Sequence, residues 1–124
     1  MTDDRLPTHI YVMAHIRRFL ADGIDAVIRR KGDPGGGLVL LKLIRIDRDA
    51  GFGFASRTEP VSRILTQTRD AEGRMAWFGA AKGAFLPEPE AEAYIERAIG
   101  RDPDLWVVEI ESSDGRNPFD GEVI

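Results

Sequence analysis

Between Thr8 and Ala21 the apolar side chains recur at helical spacing. At about 100° per residue, Val12, Met13, Ile16, Phe19 and Leu20 gather on one side, while Tyr11, Ala14, His15, Arg17 and Arg18 cover the rest. This predicts a first helix with Thr8 as its N-cap and Gly23 as its left-handed stop. The pattern then changes to strands, Ile24 to Arg30 and Leu38 to Ile46, around Lys31-Gly32-Asp33-Pro34-Gly35-Gly36-Gly37. Those loop residues permit tight reversal, so an antiparallel hairpin is predicted. In the second strand Leu38, Leu40, Ile44 and Ile46 point one way and Val39, Leu41 and Leu43 the other. Two apolar faces mark a central strand covered on both sides.

A turn-rich segment, Asp47 to Pro60, separates these elements from a second hairpin. Its strands are Val61 to Thr68 and Arg74 to Phe78, joined through Asp70-Ala71-Glu72-Gly73. Ala91, Tyr94, Ile95, Ala98 and Ile99 then fall at i, i+3, i+4, i+7 and i+8 of a second helix. Pro87, Pro89 and the acids Glu88, Glu90 and Glu92 suit its positive end, and Arg97, Gly100 and Arg101 suit its close. Leu105 to Glu111 is a strand with Trp106, Val108 and Ile110 on one face and Glu109 and Glu111 on the other. The order α-β-β-β-β-α-β predicts one α+β domain over residues 1–111, an antiparallel sheet of about five strands with two helices. Residues 112–124 are polar, hold Asp-Gly and Asn-Pro turns, and are expected to form a flexible tail.

Composition narrows the chemistry. A chain of 124 residues with 43% hydrophobic positions is one ordinary domain, able to bury roughly two-thirds of its unfolded surface. It has no cysteine, which excludes disulfides, thiol chemistry and Cys-ligated metal clusters. No apolar run is long enough for a membrane span and no leader pattern opens the chain, so a cytoplasmic protein is expected. A net charge of −4 argues against a protein that coats nucleic acid. The charge is also polarised. Arg5 to Arg48 holds nine basic residues and four acids, whereas Glu88 to Glu122 holds eleven acids and three basic residues. The two ends can attract each other within one fold, or the basic end can present a face to an acidic partner.

Four stretches together resemble a small family of bacterial proteins known only as a domain of unknown function. They are HIRRFL, AVIRRKGDPGGGLVLLKL, LTQTRDAEGRMAW and EAEAYIERAIGRDPDLWVVEIE, covering Leu6 to Glu111. The last, with Tyr94, Asp102, Asp104, Trp106, Glu109 and Glu111, is the most specific. The resemblance implies no activity, cofactor or catalytic residue. The connection Asp49 to Pro60 is longer here than in that family, which makes its GFGF segment particular to this chain.

Most of the candidate motifs fail on their own terms. GFGF at Gly51 to Phe54 resembles the core of a ribonucleoprotein motif, but Ala50 and Arg57 occupy its basic and trailing aromatic positions and the βαββαβ order is absent. Asp47-Arg48-Asp49-Ala50-Gly51 begins like a calcium loop, yet Phe52 replaces the required Gly and Thr58 the closing Glu. The glycines at 32 and 35–37 run into a strand, where a phosphate loop would run into a helix. His9 and His15 point about 120° apart on the first helix and cannot share a metal unaided. His9 is expected to be partly buried and His15 to lie at the surface. No nucleophile elbow supports a serine triad, and no cofactor-binding motif is present.

Two arrangements remain. Glu109 and Glu111 share a strand face about 7 Å apart, a spacing suited to acid–base work or a Mg²⁺ ion. Arg17 and Arg18 on the helix, with Arg29 and Arg30 at the first strand's end, would form a carboxylate- or phosphate-binding patch if the hairpin lies beside the helix terminus. Trp77, sharing a face with Met75, is the indole expected at the surface beside them, and Trp106 the one in the core. The leading expectation is a non-catalytic cytoplasmic binding or protein-interaction module using Arg17, Arg18, Arg29, Arg30 and Trp77. It has no cofactor or metal, and its partner is a protein or a second copy joined through exposed strand edges. A small enzyme using Glu109 and Glu111 and a nucleic-acid binder using Phe52 and Phe54 are the alternatives.

Overall fold

The computed structural model describes residues 6–46 and 60–124. Its elements run α1 (Thr8–Ala21), β1 (Asp25–Arg30), β2 (Val39–Arg45), β3 (Val61–Arg69), β4 (Met75–Gly79), β5 (Leu86–Pro87), α2 (Glu88–Arg101), β6 (Trp106–Ser112) and β7 (Glu122–Val123). One α+β domain results, as the alternation of patterns requires, but its sheet is mixed and has seven strands among the described residues.

The strand order is β1-β6-β2-β3-β4-β7, with β5 on β3. β1 and β2 are therefore not a hairpin. β6 lies between them, antiparallel to β1 and parallel to β2. The reason is burial. Trp106, Val107, Val108 and Ile110 are all buried, so β6 is apolar on both faces and needs a neighbour on either side. β1 alternates between exposed and half-buried positions and suits an edge. The glycine-rich segment is thus an arch across the start of β6. Cβ atoms placed on Gly32 and Gly37 would lie 2.0 and 2.1 Å from the Asp104 carbonyl oxygen, so only glycine fits there. The Asp33 amide donates to that carbonyl at 3.0 Å, and the Trp106 indole donates to the Asp33 carbonyl at 2.8 Å.

The same arch closes the N-terminus of α1. The His9 amide donates to the Pro34 carbonyl at 3.0 Å, and the Thr8 hydroxyl donates to the Gly37 carbonyl at 2.7 Å. Thr8 is therefore a buried tie between helix and arch, and Pro7 takes the N-cap position. Gly23 does close the helix, at φ +78°. The β3–β4 hairpin forms as its pattern predicts, Asp70 accepting from the Glu72 and Arg74 amides across the turn.

Each face of the sheet carries one helix. α1 covers Val39, Leu41, Leu43, Leu65, Trp77, Trp106, Val108 and Ile110 with Tyr11, Val12, Ile16 and Phe19. Met13 and Leu20, assigned to the apolar side by spacing, stay exposed, and Tyr11 is buried. α2 covers Leu40, Ile64 and Val107 with Ala91 and Ile95. β2 is the two-sided strand its sequence predicts. The expected flexible tail is instead seated on the domain. Phe119 is buried against Tyr11, Phe19 and Trp77, and β7 pairs in parallel with β4.

Candidate functional site

β6 places Glu109 opposite Lys42 of β2 and Val27 of β1 on the α2 side of the sheet. Lys42 is almost wholly buried, and a buried ammonium needs acceptors. It donates to Glu88 at 2.5 Å and Glu92 at 2.7 Å, both on the first turns of α2, and stands 3.9 Å from Glu109. A register shift between Ile28 and Arg30 turns Arg29 into the same group. Arg29 donates to Glu92 through both terminal nitrogens and to Glu109 at 3.1 Å. The result is one network of two cations and three carboxylates that fastens α2 to the sheet.

Its electrostatics follow from these contacts. Hydrogen bonds from Arg29 hold the Glu92 carboxyl down at about 2, against partial burial, with Lys42 adding to the effect. The bond to Glu92 raises the Arg29 guanidinium above its ordinary range. Burial pulls the Lys42 ammonium down, but its bonds to Glu88 and Glu92 outweigh it and leave the group raised. All three therefore stay charged at neutral pH, paired with one another.

The structure separates the residues expected to converge. Arg17 lies exposed on α1 beside Ile10, Met13 and Leu20. Arg18 turns away from it, donating to the Pro118 carbonyl at 3.4 Å with its guanidinium over Phe19. Arg29 belongs to the α2 network, across the sheet from α1. Arg30 donates to the Pro103 and Leu105 carbonyls, anchoring the approach to β6. Trp77 is fully buried, its indole donating to the Asp120 carbonyl at 2.9 Å, because β4 turns its Trp77 face inward onto Phe119. It is a core residue, not a surface contact.

Glu109 and Glu111 are parted by their surroundings too. Glu109 is bound in the network, whereas Glu111 lines a separate hollow of about 330 Å³ with Asp25 and Arg116. Among the described residues no group of three His, Asp or Glu side chains is placed to hold a metal ion. Among them, likewise, no helix is long and apolar enough to cross a membrane. Phe52, Phe54 and the Asp47–Gly51 stretch lie outside the described residues.

A roomier cleft, about 610 Å³, opens between α1 and the β3–β4 turn. The α1 stripe Tyr11, Ala14, His15 and Arg18 forms one wall. Arg69, Arg74 and Met75 of the β3–β4 hairpin and Asp120 complete the lining. His15 is half-buried here, stacked on Phe119 at 4.8 Å between ring centres. His9, in contrast, is exposed, with Nδ1 3.1 Å from the Pro34 carbonyl. The cleft escaped sequence reasoning because its lining comes from separate stretches of the chain, α1, the β3–β4 turn and Asp120-Gly121, which nothing local brings together.

Comparison with known proteins places the chain. The model of the family described as "protein of unknown function (DUF1491)" matches residues 6–120. The chain belongs to that family. A crystal structure of a DUF1491 family protein from Caulobacter crescentus CB15 is similar at 38% identity and TM-score 0.75, covering 96% of this chain and 99% of that one. An NMR structure of a DUF1491 family protein from the same organism gives 36% identity and TM-score 0.72, with 97% of each chain covered. The solution structure of a protein from A. tumefaciens is more distant, at 26% identity and TM-score 0.60 over 87% of this chain and 86% of that one. A search of curated proteins found no match. Membership of DUF1491 thus supplies a fold and a family, and nothing in it indicates a catalytic role or a specific ligand.

Proposed function

We propose that this DUF1491 protein is a non-catalytic binding module of the bacterial cytoplasm. One observation carries the reading. A cluster of five ionisable groups among the described residues, Arg29, Lys42, Glu88, Glu92 and Glu109, is taken up in internal pairs that seat α2, while an open cleft of about 610 Å³ stands apart from it. A general acid or base needs a proton to give or take near the working pH. Glu92, held at about 2, has none to offer at neutral pH. A mixed aromatic and basic cleft, by contrast, suits retention of a ligand.

The test is incubation of the protein with a mixture of cytoplasmic metabolites, followed by proton NMR. Saturation transfer to one or more compounds, all recovered unchanged, is the expected result. Conversion of a compound that stops on Glu109→Gln would overturn the reading in favour of an acid–base enzyme.

A protein partner is the second form of the same reading, and a different surface favours it. Ile10, Met13 and Leu20 stand 46%, 44% and 57% exposed along one stripe of α1, with Arg17 among them. Self-association through strand edges has weaker support. The β1 edge carries a bulge at Arg29 and charged side chains at 25, 29 and 30, the devices that discourage edge pairing.

A further inference from the structure

The cleft between α1 and the β3–β4 turn has a charge and a hydrogen-bonding pattern that narrow its ligand. Three arginines, Arg18, Arg69 and Arg74, line it against two acids, Glu72 and Asp120, a positive balance on a chain whose net charge is −4. Arg74 is already committed, pairing with Asp70 at 3.2 Å and Glu72 at 3.4 Å. Arg69 donates to the Gly73 carbonyl at 3.2 Å. Arg18 differs. Among the described residues no carboxylate lies within ion-pairing distance of it, and the Pro118 carbonyl it reaches is a long 3.4 Å away. A guanidinium presents a planar fork of donors that matches a carboxylate or phosphate edge.

His15, one turn before it, is fixed in place. Its Nδ1 lies 2.8 Å from the Tyr11 carbonyl. A carbonyl only accepts, so Nδ1 carries the proton and donates to it. The ring is held by stacking on Phe119 and by Tyr11, 4.3 Å away between centres. Ala14 and Met75 supply apolar wall between the polar groups. The cleft therefore combines a cation, a fixed aromatic ring and apolar surface within one volume of small-molecule size.

We propose that this cleft binds a small organic oxyanion, a carboxylate or phosphate ester with an apolar body, anchored by Arg18 with that body against the His15 ring and Met75. The proposal rests on the binding-module reading and names the ligand class for it. The probes are benzoate and phenyl phosphate, with benzamide as the uncharged control, titrated into the isotope-labelled full chain and followed by amide NMR.

Saturable shifts at Ala14, His15, Arg18 and Gly73 with one or both anions, and none with benzamide, are expected. Whichever anion saturates at lower concentration tells carboxylate from phosphate. Arg18→Gln should weaken binding tenfold or more with the rest of the spectrum unchanged, and Arg18→Lys should restore part of it. Equal response to benzamide, shifts that survive Arg18→Gln, or no saturation at these residues would overturn the assignment. Saturable binding elsewhere on the molecule would overturn the cleft and leave the binding module standing. Turnover of a compound in the metabolite mixture would overturn the module itself.

Discussion

The two faces of the sheet are each closed by a helix of fourteen residues, and the two closures work differently. Beneath α1 the contact is apolar and large. Phe19, Trp77, Trp106 and Phe119 interlock with branched aliphatics, and the polar atoms of both indoles end on backbone carbonyls. Beneath α2 the side chains are small, Ala91 and Ile95 against Leu40, Ile64 and Val107, and the contact is completed by ion pairs. Hydrophobic burial is non-directional, whereas a hydrogen-bonded charge network fixes one register. One face therefore supplies most of the stability, and the other fixes where α2 and its acidic first turns sit on β2 and β6.

The sharpest way to break this contrast is to empty the α1 face. Trp77→Ala removes a fully buried indole and should cost about 3–5 kcal/mol in urea unfolding, the range for large aromatic deletions. The loss should be nearly independent of salt. A cost below about 1 kcal/mol, typical of an exposed site, would mean that the α1 face is not the principal core.

On the α2 face the effect should be smaller and should depend on which partner is removed. Glu92→Ala leaves Lys42 buried with a reduced set of acceptors. It should cost about 1–2 kcal/mol, below the ~3–5 of a fully buried pair because Glu92 is nearly a third exposed. Lys42→Met replaces the buried ammonium with an apolar chain of similar length and frees carboxylates that already reach water. It should cost less than Glu92→Ala and approach neutrality. The reverse order in urea titrations would show that the network stabilises through Lys42 itself.

These two faces were unequally legible in the sequence. Both helices, the α2 stripe, the two-sided β2 and the β3–β4 hairpin follow from local periodicity and form, while the α1 face is rotated from its predicted stripe, leaving Met13 and Leu20 exposed and burying Tyr11. Pairing partners do not follow from it. Nothing in residues 24–46 says that β6, sixty residues later, will enter between β1 and β2. The loop supplied a clue, since seven residues rich in glycine exceed what a tight hairpin needs and suit an arch over another strand. Lys42 was the corresponding clue for the network. A lone lysine inside LVLLKLI, on a strand buried on both faces, requires acidic partners from another element. Trp77 misled because strand alternation shows which residues share a face and not which face is covered. Its cover is Phe119, in a segment too polar to suggest docking. The cleft beside it was hidden for the same reason.

Acid should weaken the α2 network and leave the apolar packing under α1 untouched. It should also act on the turn carboxylates Asp70 and Asp114, which hydrogen bonds from backbone amides hold low. Glu92 sits at about 2 when folded against an ordinary value of 4.5, so it binds fewer protons folded than unfolded. Its contribution is full above about pH 5 and fades as the pH falls toward 2. The amount at stake is on the order of 1–2 kcal/mol, less than the whole shift implies because water reaches part of the side chain. Raised values for Arg29 and Lys42 carry the opposite sign. Their contribution is present at neutral pH and is lost only in strong alkali, above the ordinary lysine range. Urea titrations between pH 7 and pH 3 should therefore show a decline that is smaller in Glu92→Gln. A decline of equal size in that variant would place the acid-sensitive group outside the α2 network.

The smallest effect has the opposite direction and asks whether α2 docks as one unit. Gly100 lies in the last turn of α2, and a Cβ built there meets nothing within 4 Å. Gly100→Ala should stabilise by about 0.5 kcal/mol, the lower end of the helix-interior range because the site is close to the helix end. Gly37 marks the contrast, since alanine there would drive into the Asp104 carbonyl. The network grips α2 near its start, at Glu88 and Glu92, about two to three turns from Gly100. If the helix is a rigid body seated by apolar contact along its length, Gly100→Ala and Glu92→Ala should add to within about 0.3–0.5 kcal/mol. If cutting the network lets α2 fray, position 100 is helical for only part of the time, and the gain from Gly100→Ala should shrink in the Glu92→Ala background. A gain that stays constant would place the ion pairs as a register device at one end of a helix that Ala91 and Ile95 hold down without them.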